Sequence, residues 1–123
     1  MSGEPRELKM WLAVRCDLDL SGGKLATQAG HAYQWLTICA MQKAPEMLRD
    51  YLHMASPKIA VRVDSERALQ RVQSEAAKAG IPFYTVHDTG RTQLEPGTAT
   101  VVAFGPAYRD DLPPFLKRLQ LLK

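Results

Sequence analysis

The spacing of apolar residues changes repeatedly along this chain, and each change marks an element. Leu8 to Arg15 is almost continuously apolar through Met10-Trp11-Leu12-Ala13-Val14, the pattern of an internal strand covered on both faces. Asp17, Asp19 and Ser21 break the run as a polar loop, and Ser21 is placed to cap a helix. From Gly22 to Met41 the period becomes helical. Leu25, Ala29, Ala32, Leu36 and Cys39 fall on one arc, the face expected against a sheet. Lys24, Gln28, His31 and Trp35 form a second, more polar stripe beside it. Gly30 and the alanines allow a neighbouring backbone to come close.

Pro45 opens a shorter helix to His53. Pro57–Val63 alternates and reads as a second strand. A helix from Ser65 to about Ala79 follows, capped by Asp64 or Ser65, with Gly80 as its stop. Ile81–Val86 reads as a third strand, and His87-Asp88-Thr89-Gly90-Arg91-Thr92-Gln93 as a polar loop. Glu95-Pro96-Gly97-Thr98 has the composition of a type II turn. Thr98–Phe104 is a fourth strand, ended by Gly105-Pro106, and a short amphipathic piece runs from Phe115 to Leu119. The order β-α-α-β-α-β-β-α predicts an α/β fold: a single-domain, three-layer α/β/α arrangement around a small mixed four-stranded sheet. The last two strands are joined too tightly for a crossover helix, so they are expected to be antiparallel or to reach distant edges. Residues 1–7 read as a flexible N-terminal tail and residues 8–123 as the domain.

Composition narrows this picture little. The 123 residues carry 16 Lys and Arg against 13 Asp and Glu, a net charge of +3 that permits a phosphate-bearing partner without requiring one. No apolar run reaches the roughly 20 residues of a membrane helix. The first residues lack a hydrophobic signal segment, so the chain reads as cytoplasmic, with Cys16 and Cys39 as reduced thiols. Trp11 and Trp35 are expected in the core. No Cys/His spacing suggests a zinc site.

Two stretches concentrate chemistry. Ser21-Gly22-Gly23-Lys24 is a glycine-rich helix start whose N–H groups are suited to an anion, but it lacks Walker A spacing. A lysine in a first helical turn is opposed by the helix dipole, and an anionic ligand is one reason for it; the alternative is a strand–helix turn with a solvated lysine. Lys24 and Gln28, one turn apart, can jointly hold a carbonyl oxygen or a water; the alternative is a polar helix edge. His31 is a base, a phosphate donor or a packing histidine. In the second stretch, Asp88 can orient a water or a lysine, Thr92 can hydrogen-bond a substrate, and Arg91 can bind phosphate. The alternative is a loop held together by its own Asp88 and Arg91. No nucleophile has a local signature.

Taken together, Arg15-Cys16-Asp17-Leu18, Lys24-Leu25-Ala26-Thr27-Gln28-Ala29-Gly30-His31-Ala32 and Asp88-Thr89-Gly90-Arg91-Thr92-Gln93 with Pro96-Gly97-Thr98 resemble the type II peptidyl-tRNA hydrolase family. The likeness runs from about Lys9 to Lys123. It implies hydrolysis of the ester that joins a peptide to the terminal ribose of tRNA, with water as nucleophile and no metal or cofactor. It implies catalytic roles for Lys24, Gln28, Asp88 and Thr92. Substrate contacts would come from His31, Arg91, Gly23, Arg15 and Gln93. Arg15, Lys58, Arg62, Arg109, Lys117 and Arg118 are candidates for the tRNA backbone. The partner would be tRNA rather than a membrane, and a homodimer is within what the family implies. The chain departs from the family at Gly22, where a second lysine is usual, at a cost of about 1 kcal/mol in an exposed phosphate contact. A non-catalytic member that binds tRNA or protein is the other expectation.

Overall fold

The computed structural model describes residues 6–89 and 94–123. Its strands are β1 (Leu8–Arg15), β2 (Lys58–Val63), β3 (Phe83–His87) and β4 (Ala99–Tyr108). Its helices are α1 (Gly22–Lys43), α2 (Pro45–His53), α3 (Glu66–Lys78) and the single turn α4 (Pro114–Lys117), preceded by a 3-10 turn at Arg109–Asp111. The sheet order is β2-β1-β4-β3. β1 and β2 are parallel, and β4 is antiparallel to both β1 and β3. This is the mixed four-stranded sheet the pattern predicts.

The unbroken apolar run of β1 has a direct cause. Its alternate residues feed two cores, Trp11 and Ala13 on one face and Leu8, Met10, Leu12 and Val14 on the other. The first core is closed by Leu69, Val72 and Ala76 of α3 and Leu116 of α4. The second is closed by Ala32, Leu36 and Ala40 of α1 with Leu48 and Tyr51 of α2. Helices therefore cover both faces, and a strand buried on both sides has no polar side to show.

The ends of the helices are set by local chemistry. Ser21 Oγ accepts the Lys24 N–H at 3.1 Å, and Ser65 Oγ accepts that of Ala68 at 3.0 Å. Gly80 stops α3 with φ +71°, while Ile81 N–H donates to Ala76 O at 2.9 Å and Gly80 N–H to Ala77 O at 3.1 Å. This is the Schellman arrangement, which needs a left-handed residue just past the helix.

Several boundaries differ from the sequence reading. β4 does not end at Phe104 but runs through Gly105-Pro106 to Tyr108. The β1–β4 register shifts between Lys9 and Trp11, and that irregularity accommodates the Gly-Pro pair inside the ladder. Gly105 has φ +120°, and a Cβ there would lie 2.7 Å from Lys9 O, so glycine is required. β3 starts at Phe83, because Ile81 belongs to the cap of α3. Ala40, rather than Cys39, completes the buried arc of α1. A Cβ at Gly30 would meet nothing within 4 Å, so no backbone approaches it closely. Trp11 is in the core, stacked on Phe104 at 5.4 Å, whereas Trp35 is 43% exposed.

The two sheet edges are treated differently. The C-terminal segment lies along β2: Leu121 bridges Val61, Arg62 N–H donates to Gln120 O, and Leu122 N–H donates to Ala60 O. β3 forms the other edge and pairs with β4 alone among the described residues.

Candidate active site

Lys24 projects from the first turn of α1, which begins seven residues after β1 ends. Asp88 follows β3 directly. Its backbone is held on both sides, with its N–H donating to Thr98 O at 2.8 Å and its carbonyl accepting from Gly97 at 2.7 Å. The turn that supplies these partners has Gly97 at φ +86° and a Thr98 N–H···O Glu95 bond of 3.1 Å, matching the type II geometry expected of Pro96-Gly97. The two distant stretches thus meet: Lys24 Nζ lies 3.4 Å from Asp88 Oδ2. The Asp88 side chain is 1% exposed and that of Lys24 17%, so the pair is poorly screened by solvent.

Around this pair is an open cleft of about 990 Å³, lined along α1 by Gly23, Lys24, Gln28 and His31 and on the facing side by Val86, His87 and Thr89. Four sequence-predicted residues (Gly23, Lys24, Gln28 and His31) therefore share one wall, and Asp88 joins them through its ion pair. Arg91, Thr92 and Gln93 lie outside the described residues. His87 was not expected at the site but lines the cleft, as does Asp19.

Arg15 is not among the lining residues. Its guanidinium is buried, bonded to Asp17 at 3.1 and 2.7 Å and to Ala99 O at 3.1 Å. The hydrogen bonds from Arg15 hold the Asp17 carboxyl below the usual carboxylate range. Arg15 therefore braces the start of β4 behind the site. Lys58 and Arg62 belong to β2, the edge farthest from β3, and Arg62 pairs with Asp64 at 2.8 Å.

Thr100 is a further site residue that sequence reasoning missed. It is fully buried, and its hydroxyl donates to Gln28 Oε1 at 2.8 Å, with Val86 O at 3.3 Å. The β3–β4 register jumps from Val86↔Val101 to His87↔Ala99, leaving Thr100 as the extra residue of a bulge. A bulge turns a side chain out of the normal alternation, here toward α1. With Oε1 occupied by Thr100, the amide Nε2 is the group that Gln28 offers the cleft. The signal was present: Thr100 is the lone hydroxyl in the apolar run Ala99–Phe104.

No group of three or more His, Cys, Asp or Glu that could hold a metal ion occurs among the described residues. No helix among them is long and apolar enough to cross a membrane.

The fold and cleft define an α/β protein with a lysine, a carboxylate and an oriented carboxamide gathered at the end of an edge strand. The family model described as Peptidyl-tRNA hydrolase PTH2 matches residues 8–122, and the chain belongs to that family. It is 36% identical over 115 residues to a peptidyl-tRNA hydrolase of Methanocaldococcus jannaschii, covering 94% of this chain and 100% of the relative. It is 39% identical over 114 residues to a probable peptidyl-tRNA hydrolase 2 of Drosophila melanogaster, covering 93% and 61%. A mitochondrial peptidyl-tRNA hydrolase 2 of Homo sapiens is 35% identical over 108 residues, covering 88% and 60%. The chain thus spans the whole archaeal relative and about three fifths of the two animal ones.

Proposed function

We propose that this protein hydrolyses the ester of peptidyl-tRNA or of an N-substituted aminoacyl-tRNA, releasing free tRNA and the acyl group. The observation that carries this reading is the Lys24–Asp88 pair, 3.4 Å apart in a cleft that Gln28 also lines. Family membership supplies the substrate class.

In this reading the ester carbonyl oxygen sits against the Lys24 ammonium and the Gln28 Nε2 amide. Both are donors, and both gain strength as negative charge develops on that oxygen. The Asp88 carboxylate fixes Lys24 and orients the attacking water. The new bond joins the water oxygen to the carbonyl carbon, the bond from that carbon to the ribose oxygen breaks, and a water proton ends on the departing hydroxyl. Thr92 would bond at the reacting end, Gly23, Arg91 and Gln93 would hold the terminal nucleotides, and His31 would support the pocket. Arg15 enters this scheme as a brace for β4.

Lys24, Gln28 and Asp88 come from one chain, so the scheme does not draw on a second copy. A homodimer belongs to the proposal only through family resemblance, and sedimentation velocity tests it. Cytoplasmic placement is likewise proposed, in keeping with two free cysteines, Cys16 and Cys39.

The test is to incubate N-acetylated aminoacyl-tRNA with the protein and follow release of free tRNA. Release well above that of a Lys24→Ala control is expected. Release no faster than that control overturns the enzyme reading; salt-sensitive tRNA binding in that case would assign a binding module instead.

A further inference from the structure

On α1 the cleft lining ends at His31. One helical turn further along α1, Trp35 stacks on Tyr84 of β3, with centroids 6.0 Å apart and planes 22° from parallel. Strand alternation puts Tyr84, Val86 and Asp88 on the same side of β3, facing α1. Thr85 points the other way, accepting from Gln73 of α3 at 2.7 Å. The Lys24–Asp88 pair and the Trp35–Tyr84 pair thus sit at two levels of one groove between α1 and β3. They are about 16 Å apart along the helix and about 13 Å along the strand.

Three observations say what lies in the groove between them. First, α1 from Ala32 to Gln42 and β3 from Phe83 to His87 contain no lysine or arginine. A phosphate chain gains affinity from cations along its course, and these two stretches offer none. Second, Trp35, 43% exposed and stacked on Tyr84, makes this end of the groove aromatic. Third, β3 is a sheet edge that pairs with β4 alone among the described residues, whereas the chain's own C-terminal segment lies along β2. An edge strand presents unpaired backbone N–H and C=O groups, the template for adding an extended peptide.

We propose that the peptide part of the substrate runs in this groove, extended and parallel to β3, from its ester at Lys24–Asp88 toward the Trp35–Tyr84 pair. The direction follows from the chemistry. The ester carbonyl is the peptide's C-terminal end, and Asp88 follows the C-terminal end of β3. At about 3.3 Å per residue, 13 Å corresponds to about four residues. The aromatic pair therefore receives the side chain of the fourth residue from the ester and favours an apolar or aromatic one. The inference rests on the hydrolase reading for the position of the ester, and on the Trp35–Tyr84 geometry for the rest.

The test uses tetrapeptides joined by a stable amide to the 3′ position of 3′-amino-3′-deoxyadenosine, so that affinity is read without turnover. Phe-Gly-Gly-Gly is compared with Gly-Gly-Gly-Gly by calorimetry. The wild-type protein is expected to bind the first about fivefold more tightly, as one aromatic contact provides. Trp35→Ala should bring that ratio close to one, and Trp35→Phe should keep most of it. Equal affinities in the wild type overturn the proposal, as does a preference that survives Trp35→Ala in a folded variant. Hydrolysis of N-acetylated aminoacyl-tRNA, measured alongside, reports on the hydrolase reading alone. Hydrolysis without a Phe preference sinks the peptide track and leaves the enzyme; a Phe preference without hydrolysis does the reverse.

Discussion

Thr100 donates its hydroxyl proton to Gln28 Oε1 across 2.8 Å, from a residue that the β3–β4 ladder leaves unpaired. This contact decides which half of the Gln28 amide faces the cleft. Replacing Thr100 by valine keeps the shape and removes the hydroxyl, freeing the amide to turn. A fall in kcat/KM of about tenfold is expected, the equivalent of one lost hydrogen bond of about 1.4 kcal/mol. Thr100→Ser should restore most of the activity, because the hydroxyl returns. The effect should also vanish on a Gln28→Ala background, since the two residues act as a unit. Additive losses in that double-mutant cycle would show that Thr100 acts elsewhere.

Lys24 and Asp88 are expected to fail together. Lys24→Met removes the cation that stabilises the carbonyl oxygen, and Asp88→Asn removes the charge that holds the cation and water. Each change should lower kcat by about 10³, the scale of losing an electrostatic partner of the transition state. The double variant should be little worse than either single one. Single-turnover rates on N-acetylated aminoacyl-tRNA measure this directly. Two independent losses that multiply would separate the residues into different steps.

The fold was legible in the sequence because its physics is local. Leu8–Arg15 is apolar throughout since helices cover both faces, and Ser21, Ser65 and Gly80 act where side-chain and glycine chemistry say they should. The Lys24–Asp88 encounter was legible through family resemblance, not through spacing: 64 residues separate the pair in the chain. Thr100 stood out as a lone hydroxyl, but its aim at Gln28 and the extension of β4 were not legible, and for one reason. Both depend on bulges, at Val86/His87 and Lys9/Trp11, and a bulge is a choice of register between strands far apart in sequence. Trp35 was misjudged because period alone sets the angle on a helix. Whether that angle is covered depends on where the sheet ends.

Arg15 and Asp17 give the protein an acid-sensitive brace. The Arg15 hydrogen bonds hold the Asp17 carboxyl below its ordinary value, so the native state favours the charged form more than the unfolded chain does. The stability this supplies is complete above the unfolded pKa of about 4 and is lost as pH falls through the lowered native value. Because the Asp17 side chain is 35% exposed, the contribution is under about 1 kcal/mol. Asp17→Asn should therefore lower the urea midpoint at pH 7 slightly and flatten its decline below about pH 4. A variant whose midpoint falls as steeply with acid as the wild type would remove Asp17 from the pH dependence.

The family resemblance implies a second lysine where this chain has Gly22, and the structure leaves room for one. A Cβ at Gly22 meets nothing within 4 Å, the residue is exposed, and it opens α1 two positions before Lys24. Gly22→Lys would place a cation at the mouth of the cleft without disturbing the Ser21 cap, whose acceptor is engaged by the Lys24 N–H. The helix dipole opposes a cation there by about 0.3–1 kcal/mol, a cost that a bound phosphate reverses in sign. One added phosphate contact should steepen the fall of log affinity with log salt by roughly 0.7–0.9. It should tighten tRNA binding up to about fivefold at low ionic strength, the scale of one exposed ion pair. The measurement is tRNA affinity across a salt series for wild type, Gly22→Lys and the neutral control Gly22→Gln. Equal slopes for all three would show that the tRNA backbone passes elsewhere.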